Sequence, residues 1–172
     1  DVKHPPVDYG REGFPTLRKY WKRILAAAQT GICELVGLTL SVFPPEFGES
    51  PELADKIRYL DLSDNRISEI PGVVRGMTRL ETLRLDGNRL TDVPESLFGC
   101  TCLTELSLDR NALAAVSPAV RNCSRLTYLS LSHNKLEAVP EELGALTALV
   151  RLGLGHNRLT LGTAWWLARL TG

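Results

Sequence analysis

Between Ile57 and Leu159 the apolar positions of the chain recur with a constant step. Ile57, Leu60, Leu62 and Ile67 are followed by Leu80, Leu83, Leu85 and Leu90, and the same four places are leucine in three further copies beginning at Leu103, Leu126 and Leu149. Each copy starts 23 residues after the previous one, and each carries one asparagine at a fixed place: Asn65, Asn88, Asn111, Asn134 and Asn157. An asparagine that recurs with the frame is explained by the repeat, so a structural ladder is expected of these five and catalysis is not. Leu60 and Leu62 are two apart, the period of a strand with one buried face, and Tyr59, Asp61 and Ser63 therefore point the other way. Pro71 stops the extended run after Ile70. Val74 and Met77, three apart, suit a short helical turn on the return. One copy cannot bury its own apolar face; stacked copies can, with their strands forming a parallel sheet. The asparagine amide then satisfies turn backbone groups that the bend leaves unpaired.

The frame extends back in weaker form. "TGICELVGLTLSVFP", from Thr30 to Pro44, places Cys33 and Leu35 on a strand but has Leu38 where the asparagine is expected. This first copy is 27 residues long, with the excess in "EFGESPELADK". Upstream, residues 1–15 are rich in proline, glycine and aromatics without a period and read as an extended arm. Thr16 is placed to cap a helix over 16–29, with Leu17, Trp21, Ile24, Leu25 and Ala28 on one face and Arg18, Lys19, Lys22 and Arg23 largely on the other. Such a helix either covers the open edge of the first repeat or docks an acidic protein, RNA or lipid surface, which is where membrane contact would come from. The predicted organisation is thus an arm (1–15), a capping helix (16–29) and a repeat domain (30–172). The domain comprises the degenerate copy (30–56), five copies from 57, and an apolar segment (160–172) holding Trp165, Trp166, Leu167 and Leu170. That segment is too apolar to stay open, so a short helix, a partner or further repeats are expected over it.

Composition adds limits. At 172 residues, 44% hydrophobic, with 20 basic against 20 acidic side chains, the chain suits one domain with a sizeable core. The balanced charge argues against a nucleic-acid field over the whole molecule. "ILAAAQTGICELVGLTLSVF" is broken by Gln29 and Glu34 and is not expected to cross a membrane. Cys33, Cys100 and Cys123 take core positions. Cys102 makes a C-x-C with Cys100, but without a second pair no metal site is expected. His133 and His156 share a slot one repeat apart, yet Arg110 stands where a third ligand would be, and Ser132 and His133 face opposite ways. No catalytic motif is present. The chain is read as a non-enzyme without cofactor, small-molecule substrate or metal.

The five copies with the frame L-x-x-L-x-L-x-x-N-x-L resemble the leucine-rich repeat superfamily, and in particular its small intracellular members with 23-residue repeats. The resemblance implies an α/β solenoid with a concave parallel sheet, short helices or turns on the convex side, and protein binding in place of catalysis. Extracellular relatives usually carry disulfide-rich caps, which are missing here, so an intracellular, cytoplasmic protein is expected. A mitochondrial assembly is the second expectation, because the chain starts at Asp1 without a methionine. The outward strand positions nominate Tyr59, Asp61, Arg84, Asp86, Glu105, Asp109, Tyr128 and Arg151 as the protein-binding surface, since aromatics and arginine anchor interfaces. Arg66, Arg89, Lys135 and Arg158 form a basic ridge beside it, either a second docking surface or a solvated edge. The leading expectation is an interaction scaffold. An accessory subunit of a large complex, or a targeting module of a phosphatase or ubiquitin ligase, are the alternatives.

Overall fold

The computed structural model describes residues 9–160. Helix α1 (Tyr9–Thr30) leads into strand β1 (Ile32–Glu34), short helices α2 (Glu46–Glu49) and α3 (Pro51–Lys56), and then strands β2 (Tyr59–Asp61), β3 (Thr82–Arg84), β4 (Glu105–Ser107), β5 (Tyr128–Ser130) and β6 (Arg151–Gly153). The six strands form one parallel sheet in sequential order. Its register repeats without slip: Cys33 lies beside Leu60, and Leu60, Leu83, Leu106, Leu129 and Leu152 follow one another across the sheet. The first copy pairs in the same register despite its extra length. One 3₁₀ turn closes each return between the later strands, over Gly72–Gly76, Glu95–Gly99, Pro118–Asn122 and Glu141–Ala145. In the longer first copy α2 and α3 take that place. Ser50 accepts the Leu53 N–H at the start of α3, where Pro51 fits the first turn. Phe47 of α2 packs edge-on to Phe43.

The core is a stack of leucine layers. Leu60, Leu62, Leu83, Leu85, Leu106 and Leu131 are fully buried, as are the apolar residues of the returns such as Val74, Met77, Leu97 and Leu143. Cys33, Cys100 and Cys123 belong to the same core, and Cys102 is half-buried. Burial pushes the three core thiols up, to about 12 for Cys33, about 11 for Cys100 and about 12 for Cys123. Among the described residues no helix is long and apolar enough to cross a membrane, and no cluster of three or more His, Cys, Asp or Glu could hold a metal ion.

Two expectations at the N-terminal end change. The helix begins at Tyr9 and not at Thr16, so residues 9–15, expected in an extended arm, are helical and Pro15 lies inside the helix. Pro15 removes one backbone donor without ending the helix, whose strong helix formers lie after it, from Leu17 to Gln29. The buried stripe also sits elsewhere on the helix: Tyr20, Ile24 and Ala27 are buried, whereas Leu25 is 67% exposed. The spacing i, i+4, i+7 puts these three on one line against β1 and α3. The Tyr20 hydroxyl donates to Glu46 of α2, tying the helix to the first return. Burial and Glu46 raise this hydroxyl well above its ordinary value. Gly31 ends the helix with φ +73, donating its N–H to the Ala27 carbonyl. A Cβ there would stand 2.7 Å from the Lys56 carbonyl oxygen. The remaining arm, residues 1–8, and the tryptophan-bearing segment 161–172 lie outside the described residues.

Candidate functional site

The outward face of the sheet carries three rows of side chains. The register places Ile32, Tyr59, Thr82, Glu105, Tyr128 and Arg151 in the first row. Glu34, Asp61, Arg84, Ser107, Ser130 and Gly153 make the second. Val36, Ser63, Asp86, Asp109, Ser132 and Gly155 continue each strand as the third. Seven of the eight nominated residues line one groove over this face; Tyr59 stands beside it, next to Arg84. Tyr59 and Tyr128 are three strands apart, about 14 Å at the backbone, so the two rings do not pack against each other.

The nominated side chains divide by what they already hold. Arg84 donates to Glu105 Oε1 through Nε at 2.9 Å and a terminal nitrogen at 2.7 Å, and its guanidinium lies 5.9 Å from the Tyr59 ring centre. Hydrogen bonding to Glu105 raises the Arg84 pKa. Asp61 Oδ1 accepts the Ser63 N–H at 2.9 Å, and Oδ2 accepts from the Tyr59 hydroxyl at 3.3 Å. Burial, with Asp61 second, raises the Tyr59 hydroxyl above its ordinary value. Asp86 Oδ1 accepts from the Ser107 hydroxyl and from the Asp109 N–H at 3.0 Å. One repeat on, Asp109 Oδ1 accepts from the Ser130 hydroxyl at 2.6 Å and the Ser132 N–H at 2.7 Å. Asp86 and Asp109 therefore clamp neighbouring strands together as well as facing the groove. The Arg151 side chain is exposed and has no hydrogen bond or ion pair among the described residues, its backbone N–H donating to the Thr127 carbonyl.

The asparagines stand just beyond the groove. Asn88 Nδ2 donates to the carbonyls of Leu62, Leu85 and Asp86, and its Oδ1 accepts the Ile67 N–H. Asn111, Asn134 and Asn157 repeat this set one repeat further each time. Asn65 accepts from both Leu38 and Leu40, so it serves the first copy, which has no asparagine of its own.

Sequence reasoning placed Arg110, His133 and His156 in one slot before the asparagine but missed the left-handed backbone that this column shares. Asp64, Gly87, Arg110, His133 and His156 all have φ between 51 and 64. This left-handed bend turns the side chains of Arg110 and His133 onto the groove rim. Arg110 reaches over the side-chain-free Gly87 to Asp64 at 3.6 Å, and His133 stacks on His156 with ring centres 4.0 Å apart. The signal was present, since Asp, Gly and His are residues that tolerate left-handed backbone, but it carries no apolar period. The ridge residues Arg66, Arg89, Lys135 and Arg158 are all exposed along one edge.

Comparison with known proteins agrees with this geometry. The family model described as "Leucine rich repeat" matches residues 101–159. That described as "Leucine Rich repeats (2 copies)" matches 55–95 and 78–119. No curated protein sequence matches the chain significantly. Among solved structures, a leucine-rich repeat protein of Leptospira interrogans is similar with a TM-score of 0.68 at 27% identity, over 76% of this chain and 38% of that one. The crystal structure of PEPR1-AtPEP1 is similar with a TM-score of 0.63 at 27% identity, over 70% of this chain and 17% of that one. The chain thus spans well under half the length of either neighbour. Repeat spacing, a ladder of buried asparagines, a six-stranded parallel sheet and the family models all lead to one assignment: the chain belongs to the leucine-rich repeat proteins.

Proposed function

We propose that the chain is a non-catalytic scaffold that binds a protein partner on the outward face of its sheet. Leucine-rich repeat domains generally mediate protein–protein contacts and are typically non-catalytic. The observation that carries the reading is the first two rows of that face. The Arg84–Glu105 pair, Tyr128 and Arg151 line one groove and Tyr59 stands beside it, so aromatic and guanidinium groups gather on one face without belonging to the leucine core. The four thiols, all free, support a reducing intracellular compartment as the place of work.

The test is a double substitution, Tyr59→Ala with Tyr128→Ala. Both side chains are half-buried and neither belongs to the leucine stack, so the melt is expected to stay within a few degrees of the native chain. Affinity for the co-purified partner is expected to fall by about 2 kcal/mol or more, the size of an interface hot spot. Unchanged affinity sends the partner to the basic ridge or the terminal segments.

A further inference from the structure

Two ion pairs take up most of the positive charge on the outward face. Arg84 turns to the first row, where two of its nitrogens reach Glu105, and Arg110 lies back over Gly87 toward Asp64. Four carboxylates in the second and third rows of β1 to β4 are left without a bonded cation: Glu34, Asp61, Asp86 and Asp109. Asp61, Asp86 and Asp109 accept from neutral hydroxyl and backbone N–H groups, which hold them in place without balancing their charge. The Glu34 side chain is exposed and has no hydrogen bond or ion pair among the described residues. Asp61 adds a separate sign. It is only 8% exposed, and its register neighbour Arg84 bonds to Glu105 instead. A carboxylate withdrawn from water in this way gains from a cation brought to it. In the three rows the one guanidinium left over is Arg151, at the β6 end. At the β1 end the acidic strip is flanked by apolar surface, with Ile32 52% and Val36 39% exposed on either side of Glu34.

We propose that the β1–β4 half of the face takes a short basic segment of a protein partner. A lysine or arginine of that segment sits over the neighbouring Glu34 and Asp61, with Asp86 and Asp109 further along, and an apolar side chain rests on Ile32 and Val36. This rests on the reading of the outward face as a protein-binding surface and names the chemistry of what binds. Carboxylates without counter-charge repel phosphate, so neither nucleic acid nor an anionic lipid surface fits, and charge complementarity selects a cationic polypeptide. Strands β1 to β4 span about 14 Å, which an extended chain crosses in about four to five residues. Beyond them Arg151 turns further basic residues away.

A displayed library of random heptapeptides tests this. Peptides enriched on the native chain are expected to carry Lys or Arg together with an apolar residue, and to bind more weakly as salt rises. Glu34→Lys changes an exposed side chain that holds nothing, so the melt is expected to stay unchanged. The same peptides are expected to bind this variant about tenfold more weakly or worse, because like charge replaces opposite charge. Ile32→Ser is expected to weaken them as well. Enrichment without basic bias, or basic peptides that bind Glu34→Lys as tightly as the native chain, overturns the proposal. Neutral or acidic peptides lost on Tyr59→Ala, Tyr128→Ala would leave the binding face standing and remove only its basic preference. A selection that yields no binder, or none that responds to any of these substitutions, removes both.

Discussion

The asparagines show what one repeated residue does. Asn111 offers two amide hydrogens to the carbonyls of Leu85, Leu108 and Asp109 and takes the Leu90 N–H at 3.0 Å. Leucine in its place fills the space but leaves those groups unpaired. Asn111→Leu is expected to destabilise the fold by about 2 kcal/mol, read as a lower urea midpoint; an unchanged midpoint would make the ladder incidental. Gly87 tests the neighbouring column. Its φ is +64, and a Cβ would meet Asp64 Oδ1 at 2.5 Å. Gly87→Ala is expected to cost about 1–2 kcal/mol, with the exposed Asp64 carboxylate displaced from Arg110. The ladder was legible in the sequence because asparagine repeats at one spacing. The column was legible as a slot shared by Arg110, His133 and His156, but its left-handed bend was not, because its residues share no hydropathy, so the place of Arg110 and His133 on the groove rim was not expected.

At the scale of elements, the strands were legible and the first helix only partly. Apolar residues two apart beside a fixed asparagine give each strand its face, and the register follows from a constant 23-residue step. For α1 the sequence reading took Leu17, Trp21, Ile24, Leu25 and Ala28 as the apolar face and left Tyr20 out of it. Tyr20 won because its ring fills the space against β1 while its hydroxyl finds Glu46. Tyr20→Ala is expected to destabilise the protein by about 3–5 kcal/mol, the cost of emptying a buried aromatic site. Leu25→Ala is expected to stay within about 0.5 kcal/mol. Thermal melts of the two variants check this, and equal losses would return Leu25 to the buried face.

At the scale of the molecule, the core thiols link stability to pH. Their pKa values rise from 9.0 to about 12, 11 and 12 for Cys33, Cys100 and Cys123. The unfolded chain therefore gives up these protons first. The stability they contribute is fully present below pH 9 and is lost as pH rises from there toward about 12. The same burial keeps them from reagents: at pH 8 only the half-buried Cys102 is expected to react with a disulfide reagent in the native state, counted by mass, with all four reacting in denaturant. More than one rapid native modification would show that the stack opens.

The central claim is that the partner lies on the outward face of the sheet. A benzophenone amino acid placed at Thr82, in the first row between Tyr59 and Glu105, samples that face. The same group at Val73, 45% exposed on a 3₁₀ turn across the molecule, samples the return side. Irradiation of the native complex is expected to give a partner adduct from position 82 and none from position 73. An adduct from position 73 alone would contradict the account.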